Sequence, residues 1–530
     1  MDIDCRCSIP GHSQVLIIRN ELFVGEVNVD FVEICVLGRE VSHSQIRQEE
    51  KKTMGRGEDR ISNLPESVLQ SILTMMPLKS AIRTDVLSKK WRNLWKYSLS
   101  TATALDFGED FVNNLSAIEF VETVNRYLSL HACKKLERFH LFFSPFDFFA
   151  SDIERWISYA IGKGVRYLDI DLSQGEFSHG RSSFELPSSL FDCDTLIDLS
   201  LRCCNFKTPL NFSNFGGLQS LSLSHSNISE EMLQSILTEC SLLESLSLRS
   251  CQQLGVISII VPNLNLKRLI IRDCQSVDLL EINSPKLQSF HYFGRLCIQT
   301  KFLNISSLKD ASICSNIRYW RNMSLLSDIL YVLNRRNVSI LSDLSHLQIL
   351  TLCSGALMHL NEFEGNLDIE LPLKYQNLRE LQLLMSSMTN EDLTCFYKFF
   401  YLCSFPFLEK LCIQLPKHID YPNEEKHGGW MSLKCNTYFD RLKLIKITNL
   451  KGSSNEMSLV SSLLQKAVVL ETLVLVIRPG KKSNGEGILD WRILKGEVLL
   501  LQKSSPTAQI ILHEFGEDDD GLNSTPFGNL

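Results

Sequence analysis

The sequence predicts an α/β protein in which a short three-helix unit precedes a curved solenoid, with parallel strands inside and helices outside. Three observations support this prediction. A pattern with apolar anchors at its first, fourth and sixth positions, L-x-x-L-x-L, recurs thirteen times between about residues 130 and 480. Apolar residues at helical spacing fill several of the intervals between these units. Upstream, residues 58–100 contain three further apolar stretches at helical spacing.

Composition bounds the possible functions. The 530 residues are 44% hydrophobic and 22% charged, which excludes collagen-like and wholly disordered classes. A net charge of −7 argues against a nucleic-acid protein that depends on bulk neutralisation of phosphates. No cationic stretch leads from Met1 into an apolar core, and no apolar run approaches the roughly 20 residues of a membrane span. We therefore expect an intracellular protein, in the cytoplasm or nucleus, that binds neither nucleic acid nor membrane.

The cysteines and the absence of catalytic motifs narrow the chemistry. Seventeen cysteines are scattered along the chain without any C-x-x-C pair, so a zinc site has little support. Free thiols in a reducing compartment fit this pattern better than a disulfide framework. The sequence also contains no H-E-x-x-H, P-loop, G-x-G-x-x-G or G-x-S-x-G motif. We expect a non-catalytic protein that holds no metal and no cofactor.

The two ends of the chain are predicted to lie outside the main fold. Residues 1–57 form an uncharacterised N-terminal extension with two strand-like runs of alternating apolar residues. Met54 opens a reasonable start sequence, so one hypothesis is that residues 1–53 are missing from the principal product. At the other end, residues 514–530 are acidic and rich in Gly, Asn and Ser, which predicts a disordered tail.

Residues 58–100 predict three short helices. Pro65 suits the first position of a helix, and Pro77 stops that helix. A second helix is expected at about 79–87, and a third from about Ser88. The apolar positions of the three helices are Leu69, Ile72, Leu73, Met76, Ile82, Val86, Leu87, Trp91, Leu94 and Trp95. So small a unit buries little apolar surface, and we expect a partner to dock on it.

The repeats occupy residues 130–480. Their first anchors are Leu136, Val165, Leu196, Leu218, Leu243, Leu266, Leu287, Leu308, Leu347, Leu378, Leu408, Leu442 and Leu470. Between Leu196 and Leu308 the spacings are 22, 25, 23, 21 and 21 residues, and they become irregular afterwards, which predicts insertions. Three units carry cysteine at the ninth position: Cys204, Cys251 and Cys274. We expect these thiols to turn into the core and bond the backbone of a neighbouring turn.

Residues 59–95 closely resemble the F-box of plant F-box/LRR proteins, where LRR denotes leucine-rich repeats. The features that carry the match are Leu64-Pro65, Ile72-Leu73, Pro77, Val86-Leu-Ser-Lys-Lys-Trp91-Arg92 and Leu94-Trp95. Small departures occur at Ser67, where an acid is common, and at Met75-Met76. Leu186-Pro-Ser-Ser-Leu-Phe-Asp-Cys193 and the cysteine-bearing repeats look like the same family's LRR region. Residues 440–480 are similar to its C-terminal FBD segment.

The resemblance implies a substrate-recognition subunit of an SCF-type (Skp adaptor–cullin–F-box) E3 ubiquitin ligase. The F-box would dock a Skp-family adaptor, and the LRR array would bind the target protein for ubiquitination. The adaptor-binding candidates, some of which are expected to pack the core beneath the interface, are Leu64, Pro65, Leu69, Ile72, Leu73, Pro77, Val86, Leu87, Trp91 and Trp95. Leu64 and Pro65, at the helix entrance, are the strongest candidates for the interface.

A second candidate site lies in the repeats. The residues just after the third anchor of four successive units are Arg202, Ser224, Arg249 and Arg272. Equivalent positions align in a stacked array, so the three arginines are expected to form a column. Guanidinium groups bind carboxylates and phosphates in bidentate fashion, which suits an acidic or phosphorylated target or an anionic small molecule. The alternative is a solvated strand face that carries these charges by chance.

Three other functions are compatible with this organisation. The array could bind a small molecule that completes the target surface. The chain could also be an LRR scaffold whose F-box no longer docks an adaptor, although the intact Leu64-Pro65 and Trp91 argue against this. An extracellular LRR receptor is the weakest alternative, because paired cysteines, a signal peptide and a membrane span are not seen in the sequence.

Overall fold

The structure is a computed structural model, and its chain divides into two compact units, Met1–Phe177 and Ser178–Leu530. The structure describes residues 61, 64–76, 78–112, 115–143, 147–173, 184–206, 212–295, 299–315, 343–358, 373–417, 438–478 and 491–514. The predictions for the N-terminal extension, for Pro77 and for residues 515–530 of the acidic tail lie outside the described residues.

The first unit contains the helical region followed by three parallel strands. Its elements are α1 (Glu66–Thr74), α2 (Leu78–Arg83), α3 (Leu94–Thr101), β1 (Ala104–Phe107), α4 (Glu109–Val112), α5 (Ala117–Leu130), β2 (Arg138–Phe142), α6 (Ala150–Gly162) and β3 (Tyr167–Asp171). The strands pair in chain order, with Leu105 opposite Phe139 and Phe139 opposite Leu168. A capping box between Ser116 and Glu119 sets the start of α5.

The three predicted helices form, but two of their boundaries were wrong. Helix α1 begins at Glu66 with Pro65 as its N-cap, within one residue of the prediction. Helix α2 ends at Arg83, and residues 84–86 continue as a 3-10 turn. Helix α3 begins at Leu94 and not near Ser88, because Asn93 has a left-handed backbone with φ of 67° that a helix cannot contain.

The chain itself supplies part of the packing that the helical unit needs. Trp95 of α3 is buried, and its ring lies 5.7 Å from the ring of Tyr127 in α5, measured between centroids. Tyr127 also packs edge-on against Phe111. The three helices therefore share a core with the segment that follows them, which reduces the apolar area left for a separate partner.

The second unit is built from parallel strands. Its main sheet contains β5 (Asp198–Arg202), β7 (Ser220–Ser224), β8 (Ser245–Arg249), β10 (Arg268–Arg272), β12 (Ser289–Gly294), β14 (Asp310–Ser315), β15 (Ile349–Cys353), β17 (Glu380–Leu384), β19 (Lys410–Gln414), β20 (Leu444–Leu450), β21 (Thr472–Ile477) and β22 (Gln509–Glu514). Short pairs are formed by β4 (Phe184–Glu185) with β6 (Cys204–Asn205), and by β16 (Leu373–Lys374) with β18 (Cys403–Ser404). The predicted class, an α/β chain of stacked parallel strands, is confirmed.

The repeat pattern locates strands closely. Each of the thirteen predicted first anchors lies two residues before a strand, from Leu136 and β2 to Leu470 and β21. Within the described residues, β1 and β22 extend the pattern at its two ends, where the anchors are too degenerate to match. The second anchors stack in register, with Leu199 opposite Leu221 and Leu221 opposite Leu246. Burying each leucine stabilises the fold by about 1.5–3 kcal/mol relative to an exposed side chain.

The second layer is only partly helical. Among the described residues, the α-helices of this unit are α7 (Glu230–Glu239), α8 (Ser354–Met358), α9 (Asn390–Leu402), α10 (Ser454–Lys466) and α11 (Trp491–Leu499). In the repeats that begin at Leu243, Leu266 and Leu287, a separate three-stranded parallel sheet takes the helix's place. It consists of β9 (Val256–Ile259), β11 (Leu279–Asn283) and β13 (Gln299–Leu303). These repeats are short and place β-branched residues between turns, which favours strands.

The ninth-position cysteines behave as the sequence predicts. The thiol of Cys251 lies 3.8 Å from the carbonyl oxygen of Leu223, and that of Cys274 lies 3.7 Å from the carbonyl oxygen of Leu248, each in the preceding repeat. Cys204 is also buried, and its thiol donates to Arg202 within its own repeat. Every cysteine within the described residues is a free thiol.

The described residues show neither a membrane-spanning helix nor a metal-binding cluster. In that part of the chain no helix is both long and apolar enough to cross a bilayer. The same residues contain no group of three or more His, Cys, Asp and Glu side chains arranged to hold a metal ion.

Thiol reactivity should follow burial. Burial and neighbouring carboxylates raise the pKa of Cys240, Cys395 and Cys412 to about 12, so very little thiolate is present at pH 8. We expect iodoacetamide to label the half-buried Cys133 and Cys203 first, and the other three only after unfolding in guanidinium. Mass spectrometry of the labelled peptides measures this order. Equal labelling of all five in the native protein would contradict the burial seen here.

Candidate functional site

The structure separates the predicted adaptor-binding residues into three groups. Four have their side chains inside the first unit: Leu69, Leu73, Trp91 and Trp95. Leu64 and Ile72 are half-buried, whereas Pro65, Val86 and Leu87 are exposed, and Pro77 lies outside the described residues. The buried group holds the helices together: Ser98 of α3 donates to the carbonyl oxygen of Leu73 in α1 at 3.1 Å. The assignment of all ten to adaptor binding stays a prediction.

Exposed apolar residues occur at the start of α1 and in the turn that follows α2. The ammonium group of Lys90 donates to the carbonyl oxygen of Leu64 at 2.6 Å, so Lys90, three residues after Leu87, lies within one side chain of the start of α1. A second hydrogen bond, from the backbone N–H of Asn93 to the Asp85 carboxylate at 2.6 Å, holds the turn before α3.

We call Leu64, Pro65, Val86 and Leu87 the entrance patch. Val86 is 82% exposed and Leu87 is 43% exposed, although both are aliphatic. Aliphatic side chains this exposed are typical of an interaction surface.

Three exposed apolar residues of the helical unit are absent from the predicted set. They are Val68, Met75 and Tyr97. Val68 lies next to Leu69 but off the apolar stripe of α1, so helical periodicity assigns it to the solvent side. Met75 follows the last residue of α1 and is 56% exposed. An unexpected apolar residue at a solvent position is the signal that could have identified them.

The predicted arginine column is present in the second unit. Strand pairing places Arg202 opposite Ser224, Ser224 opposite Arg249, and Arg249 opposite Arg272. These four residues, which we call the arginine row, alternate with the buried anchors and lie on the other face of the sheet. The three arginines are half-buried, and Ser224 is buried.

Like charges meet within the arginine row. Burial lowers the pKa of Arg249, and the positive charges of Arg272 and Arg202 lower it further, whereas Asp273 opposes the shift. Arg272 is fixed in place from two sides. Its Nε lies 3.4 Å from the Asp273 carboxylate, and its guanidinium lies 5.0 Å from the ring centroid of Phe293.

The residues of this row change from polar to apolar at β12. The positions that follow Arg272 in later repeats are apolar and form a buried cluster, Phe293, Cys314, Cys353 and Leu384. Sequence analysis did not identify this change, although the seventh position of each repeat shows it. The row is polar and half-buried again beyond this cluster, at the paired Gln414 and Thr448 of β19 and β20.

A group of three residues on the same face has the composition of a catalytic triad but not its geometry. Ser289 Oγ lies 2.6 Å from His291 Nε2, and Asp310 Oδ2 lies 3.1 Å from the same nitrogen. In a Ser-His-Asp triad the hydroxyl and the carboxylate contact opposite nitrogens of the ring. Here both oxygens contact Nε2 and Ser289 also donates to Asp310, an arrangement that orients side chains and does not prepare Ser289 as a nucleophile.

Comparison with known proteins identifies both regions. A family model described as "At1g61320/AtMIF1, LRR domain" matches residues 127–488, and the F-box domain model matches residues 61–102. In Arabidopsis thaliana, "Putative F-box/LRR-repeat protein At5g54820" is 26% identical over 482 residues, which cover 86% of this chain and 98% of that protein.

Two relatives from the same plant also carry the FBD segment in their names. "F-box/FBD/LRR-repeat protein At1g78750" is 26% identical over 87% of this chain and 99% of its own length. "F-box/FBD/LRR-repeat protein At1g13570" is 37% identical over a shorter match of 216 residues, so this chain spans about half, 49%, of that protein. In this chain the FBD-like segment folds as β20, α10 and β21.

The division of the helical unit into core and surface predicts two different mutational effects. Leu73→Ala should lower the free energy of unfolding of this unit by about 2–5 kcal/mol, because it leaves a cavity. Val86→Ala should change it by less than about 0.5 kcal/mol. Native-state hydrogen exchange of residues 66–101, read by mass spectrometry, measures both. A large loss for Val86→Ala would show that this side chain is packed.

Proposed function

Because the chain belongs to the plant family of F-box/LRR-repeat proteins, we propose that it is the substrate-recognition subunit of an SCF-type E3 ubiquitin ligase. The F-box, residues 61–102, docks a Skp-family adaptor, and the LRR array binds the protein to be ubiquitinated. The chain itself is not an enzyme. It acts inside the cell, in the cytoplasm or nucleus, where the ligase partners are found.

The observation that carries this proposal is the entrance patch. It lies within the residues that match the F-box model, and it leaves aliphatic side chains exposed that the chain's own core does not cover. An adaptor that buries Pro65, Val86 and Leu87 would remove this apolar surface from water, which favours association by about 25 cal/mol per Å² before the costs of binding.

The buried residues of the helical unit have a different role in this proposal. Leu69, Leu73, Trp91 and Trp95 pack inside the first unit and hold the patch in its shape. They act on adaptor binding through the fold of the helices. Leu64 and Ile72, which are half-buried, contribute to both.

In this role the LRR array would position the target protein and take no part in the chemical step of ubiquitin transfer. Its parallel sheet holds a bound target at a constant place relative to its own repeats, and the ubiquitin-conjugating partner supplies the reactive groups. Holding two reactants in a fixed geometry is by itself a large part of catalysis. A receptor without catalytic residues is therefore sufficient for this role.

Adaptor binding is the first experiment. The full chain, co-expressed with a plant Skp-family adaptor, should co-purify with it as a complex. Leu64→Ala/Pro65→Ala should weaken the complex at least about tenfold, because residues at the centre of an interface each contribute more than about 1 kcal/mol. Val86→Asp/Leu87→Asp should abolish it, because burial would leave two charges unpaired.

The matched control removes exposed apolar side chains elsewhere. Val468 and Val469 are 39% and 43% exposed and lie outside the F-box, so Val468→Ala/Val469→Ala should leave adaptor binding unchanged. Circular dichroism and thermal unfolding of each variant exclude loss of the fold. If the intact chain fails to bind any adaptor, the ligase role is wrong, and the LRR array alone carries the function.

A further inference from the structure

We propose that the arginine row binds an extended acidic segment of the target polypeptide, with its anionic groups three residues apart. The inference rests on the proposed function, because it identifies the chemistry by which the array recognises a target. The carboxylates of Asp or Glu and the phosphate of a phosphoserine share this chemistry, and the experiment below distinguishes them.

The spacing of the row sets the spacing of its ligand. Arg249 and Arg272 occupy paired positions on adjacent strands, whose backbones lie about 4.8 Å apart. Two guanidinium groups at this separation can bind one carboxylate or phosphate between them. Arg202 lies two strands from Arg249, with Ser224 between, or about 10 Å away. A segment in the extended polyproline II conformation rises about 3.1 Å per residue and has three residues per turn, so anionic groups three residues apart lie on one face and span about the same distance.

Electrostatics favours an anion at this place. Burial lowers the pKa of Arg249 most, and the like charges of Arg272 and Arg202, on the same row, lower it further, so an anion beside the row is favourable. Asp273 offsets this repulsion at the Arg272 end of the row, where it pairs with Arg272. An acidic segment laid along the row would neutralise the remaining charge and form charge-assisted hydrogen bonds.

The neighbouring row leaves space for the peptide. Ser200, Ser222 and Ser247 are paired in register beside Arg202, Ser224 and Arg249 on the same face of the sheet, and Ile270 takes this position beside Arg272. Serine is short, so the longer arginine side chains stand above a shallow floor of hydroxyl groups. These hydroxyls can donate to or accept from a peptide backbone, which no aliphatic floor could do.

The row also has a defined end. Phe293 follows Arg272 at the paired position of β12, and its ring lies under the Arg272 guanidinium. In the next three strands the same positions, Cys314, Cys353 and Leu384, are apolar and buried. A ligand that follows the arginines is therefore limited to the four strands from β5 to β10, a distance that about four to five extended residues cover.

The test uses the purified full chain and fluorescein-labelled ten-residue peptides of Gly and Ser. One peptide carries Asp at positions 4 and 7, a second carries phosphoserine there, and a third carries Asn. Fluorescence anisotropy should detect binding of the first two and not of the third. Arg202→Gln/Arg249→Gln/Arg272→Gln should weaken this binding about tenfold or more.

The control removes three positive charges from the same stretch of the array. Lys267, Lys286 and Lys309 are exposed and lie outside the row, so Lys267→Gln/Lys286→Gln/Lys309→Gln should weaken binding less than about twofold. Equal losses of peptide affinity in the two triple variants would show that net charge alone causes the binding, and this would overturn the proposal. Thermal unfolding confirms that both variants fold.

The remaining outcomes separate the two proposals and the two anions. Binding of the phosphoserine peptide alone supports the row as a site for a phosphorylated target and rejects carboxylates. Binding of neither acidic peptide by a chain that still binds its adaptor overturns the arginine row and leaves the ligase role intact. Binding of the acidic peptides by a chain that binds no adaptor supports the arginine row and overturns the ligase role.

Discussion

The in-register pairing of parallel strands is the constraint on which the rest of this protein depends. Each repeat adds one strand, and the leucines at its second and third anchors pack against those of the neighbouring repeats, as Leu221 does against Leu199 and Leu246. A slip of one residue would turn every buried anchor toward solvent, so the register is strongly determined. The same register places Arg249 beside Arg272. Core packing and the candidate target site are consequences of one alignment.

The two faces of the main sheet serve different purposes. The anchor face is apolar throughout, because each strand must bury the same pattern against the next. On the opposite face, the row that begins with Arg202 becomes apolar at Phe293 and continues as buried residues such as Cys314. The repeats from β5 to β10 therefore keep a polar row on this face, and those from β12 to β17 use the same positions for packing. The row is polar again at Gln414 and Thr448 in β19 and β20.

The helical unit shows how packing and binding compete for the same residue types. Trp91 and Trp95 resemble interface residues in sequence because they are large and aromatic, yet both are buried inside the first unit. Val86 and Leu87 remain exposed among the described residues, four and three positions before Lys90, whose ammonium group donates to the carbonyl oxygen of Leu64. Aromatic size marks a stable core here, and exposed aliphatic residues mark the surface available to a partner.

Much of this fold could be predicted from the sequence, because each repeat carries its own pattern of apolar residues within a short stretch of chain. A strand that lines a parallel stack needs apolar side chains at fixed spacing, so all thirteen anchor patterns identified strands, and Cys251 and Cys274 were correctly assigned to the core. Local backbone conformation and contacts between residues distant in sequence determined the rest of the fold. Asn93 ended one helical pattern through its backbone conformation, and Tyr127 covered Trp95 from beyond the helical unit. Exposure depends on what packs above a side chain, and spacing along the chain carries no information about that neighbour.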